Sequence, residues 1–97
     1  MAEQDASEYL AECFWPGVAA ADLRDLDERA AAAAARITRT GESVRYLGSL
    51  LMRTDEVVLC LFQGSESTVR KVAEQAQIPF ERILQADRSP WSSPDTT

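Results

Sequence analysis

The hydrophobic pattern of this chain switches between the two-residue period of a strand and the longer period of a helix. Val44 to Met52 and Val57 to Phe62 are β-rich runs flanking Arg53-Thr54-Asp55-Glu56, a polar link of hairpin length, and predict two adjacent antiparallel strands. They do not alternate as a half-exposed strand does: Val57, Leu59 and Leu61 on one face are answered by Val58, Cys60 and Phe62 on the other. Both faces of the pair call for cover. Upstream, Glu8 to Trp15 predicts a first strand, with Tyr9, Ala11, Cys13 and Trp15 on one face and Leu10, Glu12 and Phe14 on the other. Pro16-Gly17 ends it.

From about Ala20 to Thr40, Leu23, Leu26, Ala30, Ala33, Ala34 and Ile37 recur at helical spacing in an alanine-rich run. Asp22, Asp25, Asp27 and Glu28 crowd its start and Arg36 and Arg39 its end, the order the helix dipole favours, and Gly41 supplies the stop. After the hairpin, Gly64-Ser65-Glu66-Ser67 reads as a turn with capping residues, and Val69, Val72, Ala73 and Ala76 form the stripe of a shorter helix closed by Pro79. Phe80 to Ala86 alternates and predicts a last strand, at an edge. The order strand, helix, strand, strand, helix, strand predicts a ferredoxin-like α+β fold, βαββαβ, with a four-stranded antiparallel sheet and two helices on one face. One domain spans 8–86, between a flexible N-terminus, 1–7, and a disordered Pro/Ser-rich tail, 87–97, whose Trp91 is free to dock on a neighbouring surface. Two helices cover one face, so the other is expected to meet a second subunit, a ligand, or both.

At 97 residues the chain supports a single core. A net charge of -6 repels phosphate backbones and anionic membrane surfaces, so no nucleic acid is expected as a partner. No apolar run reaches membrane-span length and the start lacks the features of a signal peptide, which predicts no membrane association and a cytoplasmic location. The absence of histidine excludes every histidine-dependent mechanism. Cys13 and Cys60 are too sparse for a disulfide framework. Together with Glu12 and Met52 they are the soft or carboxylate donors on strands, without ligand-type spacing, so neither a metal nor another cofactor is expected.

The polar residues on predicted strands are the candidates for chemistry. Glu12 shares a face with Leu10 and Phe14, and strict alternation puts Arg45 with Leu47, Ser49 and Leu51. If those faces coincide, a carboxylate, a guanidinium and a hydroxyl project among apolar side chains, where burial and charge shift a pKa toward acid/base work. The competing reading is a structural ion pair from Glu12 to Arg45 or Arg82 at the rim of a dimer. The candidate catalytic set is Glu12, Arg45 and Tyr46; Phe14, Trp15, Ser49, Cys60 and Arg82 are candidate ligand contacts.

The phrases EYLAECFWPGV, VRYLGSLLMRTDEVVLCLF and IPFERILQA, in this order and spacing, resemble a family of short actinobacterial proteins, a domain of unknown function that includes a nickel-binding protein. The resemblance covers Tyr9 to Ala86 and implies ferredoxin-fold homodimers, related in shape to the dimeric α/β barrels that include antibiotic-biosynthesis monooxygenases and small cyclases. Taken with the uncovered sheet face, the expectation is a homodimer through the sheet that holds a small, largely apolar organic molecule between sheet and helices or at the dimer seam. As an enzyme it would be a cofactor-free cyclase or isomerase of specialised metabolism, with Glu12 as acid/base and Arg45, Tyr46 or Ser49 polarising a carbonyl. The alternative is a non-catalytic metal or ligand carrier, or a protein-interaction module.

Overall fold

The computed structural model describes residues 7–89. Its elements are β1 (Glu8–Phe14), α1 (Ala20–Arg39), β2 (Val44–Met52), β3 (Val57–Gly64), α2 (Glu66–Gln75) and β4 (Arg82–Ala86). The fold is ferredoxin-like: one four-stranded antiparallel sheet in the order β2-β3-β1-β4, with α1 packed on β2, α2 packed on β1, β3 and β4, and the helices against each other. Of the predicted flexible N-terminus and tail, only Ser7 and residues 87–89 are among the described residues; Trp91 lies outside them.

Each helix forms where its stripe and caps agree. On α1, Leu26, Ala30, Ala33, Ala34 and Ile37 are buried. The Ala19 N–H donates to the Asp22 carboxylate at 2.9 Å, and Gly41, at φ +103, ends the helix in the left-handed conformation that glycine adopts without strain. The Ser65 hydroxyl caps α2 by accepting from the Thr68 N–H, and Val69, Val72 and Ala73 face inward. The Thr38 hydroxyl donates to the Val44 carbonyl at 3.0 Å, and Arg29 Nε donates to the Ala76 carbonyl at 2.9 Å. These contacts fasten α1 to β2 and to the end of α2. The last strand starts two residues later than its alternation predicts, because the ladder to β1 begins with the Glu81 N–H donating to the Glu12 carbonyl.

The cross-strand register separates the two faces. Ala11, Cys13, Val44, Val58, Cys60 and Phe62 lie beneath the helices and are buried. Leu10, Glu12, Phe14, Val57, Leu59, Leu61 and Leu84 share the other face, on which neither helix packs. Phe14, Leu50 and Met52 remain 55%, 60% and 45% exposed there, far more than side chains of this kind in a covered face.

The alternation read from sequence fails at one place. The β2–β3 register slips between Tyr46 and Gly48, and Gly48 sits at φ +122. This is a β-bulge, in which an extra residue turns the rest of the strand over. Arg45 pairs with Gln63 on the open face, but Ser49 pairs with Cys60 and Leu51 with Val58 on the helix face. The expectation that Arg45 shares a face with Ser49 and Leu51 is therefore corrected: Ser49 joins Tyr46.

Candidate functional site

The bulge brings two hydroxyls of β2 under α1. Asp27 stands on the buried side of that helix, half exposed, and its Oδ1 accepts from Tyr46 Oη at 2.5 Å and from Ser49 Oγ at 2.8 Å. Burial first, and then the hydrogen bond to Asp27, push the Tyr46 phenol above its ordinary range, so it stays protonated and acts as a donor. Its ring packs at a tilt on Phe62, with centroids 5.1 Å apart. Cys60, opposite Ser49, is fully buried, and the hydrogen bond with the Cys13 thiol, together with burial, pushes its own thiol up. It is an inert core thiol that no ligand on either face can touch, which corrects its place among the ligand contacts.

Glu12 and Arg45 lie on the opposite side of the sheet from Tyr46. Glu12 faces Leu59 on β3 and Arg82 on β4, and its Oε1 accepts from Arg82 Nε at 2.5 Å, which holds the guanidinium above its ordinary value. Arg45, on the edge strand β2, faces Gln63 of β3. At ~3.3 Å per residue and ~4.8 Å between strands, Glu12 and Arg45 are roughly 16 Å apart. The candidate set Glu12, Arg45 and Tyr46 is therefore not one site in a single chain. The carboxylate has Arg82 as its partner, the guanidinium has none among the described residues, and the phenol belongs to Asp27.

The remaining candidates are dispersed. Phe14 is exposed on the open face with Arg82. Trp15 packs against the core and lines a recess of about 140 Å³ with Val18, Leu51, Arg53 and Glu56. Further along the α1–β2 seam, beyond Tyr46, a recess of about 400 Å³ is walled by Ala31, Ala34 and Ala35 of α1 and by Val44 and Tyr46 of β2. Arg39 and Arg45 also line it. A third, of about 470 Å³, runs along the outer surface of α2 between Glu66 and Glu74. The interior between sheet and helices is filled by core side chains such as Phe62, Leu26 and Val69.

Sequence reasoning missed Asp27, reading it as one of several charges at the start of the helix. A signal was present. Asp27 stands at i+4 from Leu23 and at i-3 and i-7 from Ala30 and Ala34, so it interrupts the apolar stripe itself. The bulge had a signal too, since glycine inside a strand marks a bend or an extra residue.

With this geometry in view, the family model described as "Nickel responsive protein SCO4226-like" matches residues 9–85. The chain belongs to the SCO4226-like family. The resemblance carried by the three sequence phrases is to these proteins. A solved SCO4226-like structure, that of SCO4226 from Streptomyces coelicolor A3(2), superimposes with a TM-score of 0.65 at 16% identity, covering 86% of this chain and 99% of that one. At that identity the likeness establishes the shared SCO4226-like fold. No curated protein matches the sequence.

The sequence has no histidine, both cysteines are buried, and among the described residues no three Asp, Glu or Cys side chains converge as a metal would require. Nor is any helix among the described residues long and apolar enough to cross a membrane.

Proposed function

We propose that this protein is a small-molecule-binding homodimer that closes its open sheet face on a second copy and holds a largely apolar organic molecule at that seam. The observation that carries the reading is the exposure of Phe14, Leu50 and Met52 on a face already rich in leucine and valine. Exposed apolar surface of this extent is where soluble proteins associate. Four strands ~4.8 Å apart with ~3.3 Å per residue present roughly 500 Å² in projection, the same order as the ~800 Å² per partner of a standard interface. Glu12 with Arg82, and Glu8 with Arg88, neutralise one another around this face, which lowers the desolvation penalty of closing it.

Binding is favoured over cyclase or isomerase chemistry because Tyr46 is turned away from Glu12 and Arg45, leaving no acid/base constellation within one protomer. The nickel of the family description is not carried over, because the donor set does not suit it. Native mass spectrometry on protein purified without added metal tests the reading. A dimer retaining an organic mass, with no nickel adduct after nickel is added, is the expected spectrum; a monomer would overturn it.

A further inference from the structure

The 400 Å³ recess of the α1–β2 seam differs in charge from the rest of the molecule. The chain is strongly acidic, and each of the other two recesses carries glutamate, Glu56 in one and Glu66 with Glu74 in the other. This recess has no carboxylate in its lining and two guanidiniums, Arg39 from the last turn of α1 and Arg45 from β2. Neither forms an ion pair or a hydrogen bond among the described residues, as is also true of Arg24, Arg36 and Arg53, whereas Arg29, Arg70, Arg82 and Arg88 are paired. Arg39 and Arg45 differ from the other unpaired arginines in lining one recess together. The wall between them is largely apolar, made of alanines, Val44 and Tyr46, together with Thr38, whose hydroxyl is already donated to the Val44 carbonyl.

Two unpaired cations on an apolar wall select a ligand with one anionic end. A bare inorganic anion would leave the alanine and tyrosine surface wet, and a neutral hydrocarbon would leave both guanidiniums without a partner. The planar fork of arginine matches a carboxylate, and alanine side chains let a flat body lie close to the helix. The volume stands at the lower end of the range for small-molecule sites, enough for an acid of one or two rings. Arg39 stands in the last turn of α1, where the negative end of the helix dipole opposes an anion, so the head group depends on the two guanidiniums together to outweigh it.

We propose that the α1–β2 recess binds a small amphipathic carboxylate, its head held by Arg39 and Arg45 and its apolar body laid on Ala31, Ala34 and Ala35 against Tyr46. The site is formed within one protomer at the β2 edge of the sheet, where Arg45 borders the recess from the open-face side of the strand and the other lining residues belong to α1 and the helix side.

Isothermal titration with 2-naphthoate and its uncharged isostere 2-naphthamide tests it. The expected result is one naphthoate per protomer, with the amide about tenfold weaker or more, as the loss of charged hydrogen bonds implies. Arg39→Gln and Arg45→Gln should each weaken naphthoate about fivefold, and Ala35→Phe, which fills the recess from an exposed helix position, should abolish binding. Leu59→Glu, on the open face, should leave it unchanged. Equal binding of acid and amide, no naphthoate binding, indifference to Arg39→Gln and Ala35→Phe, or loss only in Leu59→Glu would each overturn the proposal.

Discussion

Asp27 is the residue on which the polar part of the α1–β2 seam depends, because one carboxylate oxygen serves both Tyr46 and Ser49. Removing it leaves two half-buried hydroxyls without their acceptor. Asp27→Ala is expected to lower stability by about 1–3 kcal/mol, read from the urea midpoint. Tyr46→Phe should cost less, and the double variant should fall short of the sum, since the two residues share one contact. The same neighbourhood predicts an alkaline limit. Tyr46 resists ionisation in the folded state, whereas in the unfolded chain it loses its proton near its ordinary value of ~10. Above that value the unfolded state binds fewer protons than the folded one, so stability falls as pH rises. Urea midpoints should decline beyond about pH 10, with Tyr46→Phe flattening part of the decline.

The bulge in β2 is the element that changed the site. Without it Ser49 and Leu51 would point to the open face, and the helix face would lose both a hydroxyl and an apolar contact. Gly48 permits it, because φ +122 is a conformation that side chains with a Cβ adopt only under strain, even though the space a Cβ would occupy is open. Gly48→Ala is therefore expected to lower the melting midpoint by the equivalent of about 1–3 kcal/mol, through backbone strain and not through a clash. The other elements were legible because their signals agree: stripe, charge order and glycine stop for α1, and a serine cap with a short stripe for α2. The bulge was not, because alternation counting assumes an unbroken two-residue period and one extra residue inverts everything after it.

At the scale of the whole molecule, the sheet has a filled side and a bare one. Its interior face is packed with side chains of zero exposure, so among the described residues space for a ligand lies in the perimeter recesses and on the open face. A charge at the centre of that face should separate assembly from folding. Leu59→Glu is expected to give a monomer in sedimentation velocity while retaining the circular dichroism spectrum of the parent, since Leu59 does not belong to the helix-side core. A variant that stays dimeric would place the contact elsewhere, with the edge of β2 the next surface to examine.

The sequence by itself determined the order of elements, the helix stripes and the two-sided hydrophobicity of the hairpin that left one sheet face apolar, because these follow from local period, propensity and capping. It also placed Glu12 on the face where Arg82 meets it. Only the tertiary structure decided the rest. Register across β2 and β3 turned Ser49 and Tyr46 toward Asp27, the sheet stood between Tyr46 and both Glu12 and Arg45, and the packing of α1 on an edge strand left Arg39 and Arg45 beside an alanine wall. These are relations between residues far apart in the chain. They depend on a single inserted backbone position and on which edge each helix covers, neither of which a one-dimensional pattern records.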